Sequence, residues 1–372
     1  MTIKEVSIPS ADGSFEIHGT LKTSPKSARA TKQNKVPAVL IINGSGPIDR
    51  HGNVKMSGIM SVTNFDINTS NMLSDYLVNK QGMAVLTYDK RGIGKSISEK
   101  DPNLYYKAGV TDLVSDVVQA FHFLASDNTI DAENIFLLGH SEGAILLPLI
   151  LKELKKENDA AVLPKGLVFL CGFGESIRGA MEHQRETLVN EAKEQTGIKG
   201  WILRQVLTKE RLEKQYNNTL QKIDDNEQHD YISAYLGLVK QPAKWMREHL
   251  ALSEEDMQAE LAKVDCHCLA IAGGNDRQVR SKFCEPTAAG ELLPMSASLE
   301  THTLLHMTHV LRSMEDKPCH LLDATTEYPR LGKLPLEPEL LSIIGKWCQG
   351  ILSNQKSSNS STTATPEEEL SM

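Results

Sequence analysis

Residues 133–156 read ENIFLLGHSEGAILLPLILKELKK, and the fold turns on how this stretch is read. A short apolar run stops at Gly139, Ser141 stands between His140 and Glu142, and after Gly143 an apolar pattern resumes with the length of a helix. A G-x-S-x-G pattern alone is weak, because a chain this long contains one by chance about one time in ten at ordinary Gly and Ser frequencies. Its setting carries the weight. A strand that turns sharply into a helix strains the residue at the corner, and glycines on either side give the crowded backbone room. The pattern therefore predicts a nucleophile elbow at Gly139-His140-Ser141-Glu142-Gly143. Ser141 would lie at the N-terminus of the following helix, where the dipole favours developing negative charge, and the Glu142 N–H would be one oxyanion donor.

Outward from the elbow, four more apolar runs end in glycine or aspartate: VPAVLIING to Gly44, GMAVLTYD to Asp89, KGLVFLCG to Gly172 and CHCLAIAGG to Gly274. They are continuous rather than alternating, as in parallel strands covered on both faces. Residues 111–124, TDLVSDVVQAFHFL, put Leu113, Val114, Val117, Ala120, Phe121 and Leu124 on one helical face, with Thr111 available as a cap. Strand, helix, strand predicts a doubly wound α/β fold with a mostly parallel sheet. KEVSIPS and SFEIHGTL, joined at Ala11-Asp12-Gly13, predict an antiparallel edge hairpin in front of it.

From Glu175 to about Leu261 the chain is charged and helix-prone, which predicts a helical cap inserted between two sheet strands. Its apolar parts, WILRQVL and YISAYLGLVKQPAKWM, would face the main domain or a ligand. The expected organisation is a core of residues 1–172 and 263–353 interrupted by a cap at 173–262. SPKSARATKQNK, residues 24–35, reads as a solvated loop, and the Ser/Thr-rich end at 354–372 as a disordered tail with little to bury.

The 372 residues are 40% hydrophobic and 24% charged, and the net charge of −8 is spread without a basic stripe, which argues against nucleic acid as a partner. No apolar run approaches the ~18 residues of a transmembrane segment, and the N-terminus lacks a signal-peptide pattern. Six cysteines, some inside strand-like runs, read as buried hydrophobes of a reducing, cytoplasmic compartment. Nothing in the sequence specifies an oligomeric state.

A serine needs a base to take its proton and an acid to orient that base. Asp276 follows the CHCLAIAGG strand, at the edge where such sheets place their chemistry, and is the preferred acid. Residues 297–312, ASLETHTLLHMTHVLR, read as a last strand and a turn with His302, His306 and His309 as candidate bases. His309 is preferred, as a loop residue anchored by a helix start at Val310 and Leu311, with His306 in reserve. The order Ser, Asp, His is that of α/β hydrolases. Ser45, in Asn43-Gly44-Ser45-Gly46-Pro47, is the choice for the second oxyanion donor. The run 89–96, DKRGIGKS, ends like a phosphate loop, but Asp89 stands where the first glycine is required.

The segment 89–96, SGPIDRHGN at 45–53, the GHSEG elbow and GGNDRQV at 273–279 together resemble the serine α/β-hydrolase superfamily. More narrowly they are similar to its bacterial-type esterase and lysophospholipase branch, also grouped with the serine aminopeptidases. The resemblance implies an α/β-hydrolase fold with Ser141 as nucleophile, Asp276 as acid, His309 as base, and Ser45 with Glu142 as oxyanion donors. Two positions depart from the pattern: Asn43 precedes Gly44 where His is common, and Met307-Thr308 precedes His309.

The expected reaction is cofactor-free hydrolysis of a small-molecule acyl ester through an acyl-enzyme, with no metal. Cys266-His267-Cys268 lacks a second ligand pair at zinc spacing. Two rivals stand beside it: an aminopeptidase using the same triad, whose cap must also hold an ammonium group, and a hydrolase fold that only binds a ligand.

Overall fold

The computed structural model describes residues 1–25, 35–55, 65–156, 162–225, 229–234 and 239–361. At the N-terminus β1 (Thr2–Pro9) and β2 (Glu16–Thr23) pair antiparallel, turning through Gly13 at φ 67°. The five continuous apolar runs become β3 (Val36–Ile42), β4 (Ala84–Tyr88), β5 (Ile130–His140), β6 (Gly166–Leu170) and, after a long insertion, β9 (His267–Gly273). With β10 (Ser298–Leu304) they form an eight-stranded sheet in the order β1-β2-β4-β3-β5-β6-β9-β10. Every neighbouring pair from β4 to β10 is parallel, and within the sheet only β2 runs against the other strands.

The reason those runs are continuous is visible in their side chains. Along β3, Ala38, Leu40 and Ile42 enter one core while Val39 and Ile41 enter the other; along β5, Ile135 and Leu137 alternate in the same way with Phe136 and Leu138. Helices α2 (Val110–Ser126) and α3 (Glu142–Lys156) cover the first face through Val117, Phe121, Leu147 and Leu151. Helices α1 (Thr69–Gln81) and α11 (Pro338–Ser361) cover the second through Leu77, Leu340, Ile344 and Trp347. Each such side chain contributes about 1.5–3 kcal/mol on burial, so two-sided burial favours strand for apolar runs with no alternation of their own.

Between β6 and β9 the chain builds α4 (Ile177–Glu194), α5 (Gly197–Val206), α6 (Lys209–Asp225), α7 (Ala243–Ala251) and α8 (Glu254–Leu261). The insertion is not wholly helical: β7 (Tyr231–Ala234) and β8 (Val239–Pro242) pair antiparallel within the stretch expected to be helix. Of its two apolar parts, the second packs inward through Trp245 and Met246 of α7. The first does not, because Trp201 and Val206 on α5 are 61% and 51% exposed. Thr111 is not the cap of α2; the helix starts at Val110, and Asp112 accepts from the Gly109 N–H. The C-terminal helix α11 runs to Ser361, so residues 354–361, expected in the tail, are helical. Residues 362–372 and most of the expected loop, 26–34, lie outside the described residues. Helices α9 (Pro286–Leu292) and α10 (Ala324–Leu331) flank β10 in sequence. No described helix is long and apolar enough to cross a membrane.

Candidate active site

All the predicted site residues lie at the carboxyl edge of the sheet, where the strand order reverses on either side of β3. β5 ends at His140, and Ser141 turns the chain into α3 at φ 55°, a left-handed conformation that a serine adopts only under constraint. The surroundings supply that constraint. The Ser141 N–H donates to the Leu170 carbonyl at 2.8 Å, and a Cβ at Gly143 would lie 2.3 Å from the Ile42 carbonyl oxygen. A glycine is therefore required where α3 passes the end of β3.

Asp276 follows β9 and His309 follows β10, and the two strands are neighbours, so their loops converge on Ser141. His309 Nε2 is 3.0 Å from Ser141 Oγ, and His309 Nδ1 is 2.8 Å from Asp276 Oδ2. His309 and Asp276 are buried, and Ser141 is half-buried. Asp276 Oδ1 accepts from the Gln278 N–H at 2.8 Å and from Val279 at 3.3 Å, which fixes the carboxylate. The other two candidate bases stand apart: His306 is exposed, and His302 pairs with Glu300 at 2.7 Å. No helix begins after His309; the loop is a tight turn in which Leu311 has φ 62°.

The oxyanion loop lies against the elbow. A Cβ on Gly44 would be 3.0 Å from Ser141 Cβ and 3.4 Å from its Oγ. Among the described residues neither the Ser45 nor the Glu142 N–H is given to another protein group. Asn43, in place of the common histidine, supports this loop: its Nδ2 donates to the Asp49 carbonyl at 3.0 Å, and its Oδ1 accepts from Ser70 Oγ on α1. Asp89, the residue that spoils the phosphate-loop reading, clamps the next turn. Its carboxylate accepts from the Arg50 N–H, Arg50 Nη2 and the Lys95 N–H at 2.7–2.8 Å.

Residues 69–305, more than half of the chain, match the family described as serine aminopeptidase, S33. The chain belongs to this family. The matched span includes Ser141 and Asp276 and stops short of His309. No curated protein sequence gives a significant match. Among solved structures, a proline iminopeptidase of Mycobacterium smegmatis is similar at 13% identity and TM-score 0.50, covering 94% of this chain and 98% of that one. An esterase of Pyrococcus furiosus, Pf2001, aligns at 13% identity and TM-score 0.49 (94% and 91% covered). Est1E of Butyrivibrio proteoclasticus aligns at 15% and 0.46 (88% and 96% covered). At such identity the likeness concerns the α/β-hydrolase fold alone.

Several residues of this α/β hydrolase's site escaped the sequence. Glu142, to which the sequence points only through its N–H, has a fully buried side chain that holds three groups together. Lys90 Nζ donates to Oε2 at 2.7 Å, and His249 Nε2 and Trp245 Nε1, both on α7, reach Oε1. Burial alone would push this carboxyl up; the Lys90 ammonium foremost, then His249, hold it well below the usual carboxylate range. Lys90 also donates to the Gly44 carbonyl. The Cys171 thiol is buried beside the triad, and burial, followed by the Asp276 charge, pushes that thiol well up. Cys171, Asp276 and His309 bring ligand atoms within 4.8 Å of one another, but a thiol held protonated is a poor metal ligand. Only Lys90 had a sequence signal, lying inside the 89–96 motif.

A cavity of ≈ 200 Å³ opens beside Ser45 and Gly46, walled by Tyr105, Leu113, Trp245 and Met246. Its charged lining is Lys90, Arg91 and Lys240, with no carboxylate among the lining residues.

Proposed function

We propose that this protein is a serine hydrolase that cleaves carboxylic esters of small acyl groups through an acyl-enzyme. The observation that carries the reading is the unbroken chain Ser141 Oγ, His309, Asp276 at 3.0 and 2.8 Å. In it, Ser141 Oγ attacks the ester carbonyl as its proton passes to His309 Nε2, and the carbonyl electron pair becomes an oxyanion facing the Ser45 and Glu142 N–H groups. Collapse expels the alcohol, which takes the proton from His309. Water then gives its proton to His309 and attacks the acyl carbonyl, and release of the acid returns a proton to Ser141. Asp276 holds Nδ1–H inward and balances the imidazolium charge. Residues 173–262 act as the cap over this site, and the six free thiols suit a reducing, cytoplasmic setting.

The cavity favours an ester over a peptide N-terminus. An aminopeptidase needs an anion for the substrate ammonium, and the charges lining this cavity are cationic. Its size is below the about 300 Å³ at which pockets for drug-sized ligands begin, which supports a short acyl group. A p-nitrophenyl ester series should therefore give kcat/KM highest at two to about six carbons and falling at least about tenfold by twelve, with amino-acid p-nitroanilides unreactive. Preferred turnover of the anilides would transfer the assignment to amide hydrolysis.

A further inference from the structure

Lys90 is a buried ammonium whose partners straddle the site. One is the Glu142 carboxylate at 2.7 Å; the other is the carbonyl oxygen of Gly44. That carbonyl and the Ser45 N–H belong to one peptide unit, so charge drawn toward the oxygen through the resonant C–N bond makes the N–H a stronger donor. Glu142 in turn is held by Trp245 and His249 of α7, and Trp245 packs against the buried cluster of Ile145 of α3, Ile177 and Met257. The same residue whose backbone N–H faces the oxyanion thus keeps, with its side chain, the cation behind the other donor.

We propose that Lys90 is a positioning and polarising residue for the oxyanion hole, acting through the Gly44–Ser45 peptide, and that the Glu142–Trp245–His249 contact makes its strength depend on the seating of the cap helix α7. The proposal rests on the serine-hydrolase reading and adds a residue to it. An ammonium in water would be worth little at this distance. Here Lys90 and Glu142 are 7% and 0% exposed, so the field acts in a low-dielectric setting. The effect falls on the transition state, because the Ser45 N–H gains a full negative charge to bind only when the tetrahedral oxyanion forms.

The test is the ionisation of a bound oxyanion. A short trifluoromethyl ketone labelled with ¹³C at the carbonyl should form a hemiketal with Ser141, and its ¹³C shift against pH reads the hemiketal's ionisation midpoint. Lys90→Met should raise that midpoint by about one unit, weaken ketone binding by about tenfold and lower kcat by a similar factor, with KM within about twofold. Because this variant leaves Glu142 buried without its cation, Lys90→Met/Glu142→Gln is measured beside it and should show the same rise. Trp245→Phe/His249→Gln, which frees Glu142 from the cap, should give a smaller rise in the same direction. A midpoint unchanged in the folded Lys90 variants, whatever the loss of activity, overturns the proposal. If the wild-type protein formed no hemiketal, or Ser141→Ala still formed one, the serine-hydrolase reading itself would fail instead.

Discussion

His140 precedes the nucleophile and is tied to the base: its Nε2–H donates to the His309 carbonyl at 2.8 Å, and the two rings lie 5.2 Å apart. A carbonyl can only accept, so this nitrogen carries a proton. Burial, and then the facing His309, push His140 down to about 3, which keeps it neutral at neutral pH. The consequence for stability has a definite sign. In the unfolded chain an imidazole takes up a proton near ~6.5, whereas folded His140 does so only near about 3. Between those values the unfolded state binds more protons, so stability conferred above pH ~6.5 is lost as pH falls toward 3. Urea denaturation at pH 7, 5 and 4 should show that loss, and His140→Gln, which keeps a donor and does not titrate, should reduce it. Parallel losses in the two proteins would contradict the assignment.

The loop after β10 is an element without regular structure, and besides His140 and Asn275 a third side chain fastens it. Arg312 is completely buried and has no carboxylate partner among the described residues. Its guanidinium donates to the carbonyls of Val310, Ile67 and Leu334 and to Thr69 Oγ1, fastening the His309 turn to the start of α1. Burial pulls it down to about 10, still a cation at neutral pH. Those contacts explain why no helix begins at Val310: its carbonyl, the acceptor a helix would use, is taken by Arg312, and the Thr308 N–H closes a turn on the Arg312 carbonyl. Arg312→Leu should cost about 3 kcal/mol or more by urea denaturation, since it strands several buried acceptors, and should lower kcat by displacing His309. A stable, fully active Arg312→Leu protein would show that the turn needs no staple.

For the whole molecule, what the sequence revealed followed from two-sided burial. A sheet covered on both faces leaves continuous apolar runs, and Gly44, Ser141 and Asp276 could each be placed because each follows such a run at its carboxyl end, whereas His309 follows the polar edge strand β10 and was placed by the Ser, Asp, His order and its loop position. Contacts set by how the insertion packs left no such trace. Glu142 and Trp245 are 103 residues apart, and only the docking of α7 on α3 joins them. The β7–β8 hairpin and the exposed face of α5 were hidden for the same reason, because a short amphipathic segment gains its structure from its neighbours. The central claim is that Ser141 is a nucleophile activated by His309, and covalent labelling measures it without knowledge of the substrate. A fluorophosphonate should add to the wild-type protein at Ser141, located by mass spectrometry of the labelled peptide. His309→Ala should slow that addition by about 10³-fold or more, His306→Ala should leave it within about twofold, and Ser141→Ala should not react. Labelling that persists in folded Ser141→Ala, or a wild-type protein that does not label, would contradict the account.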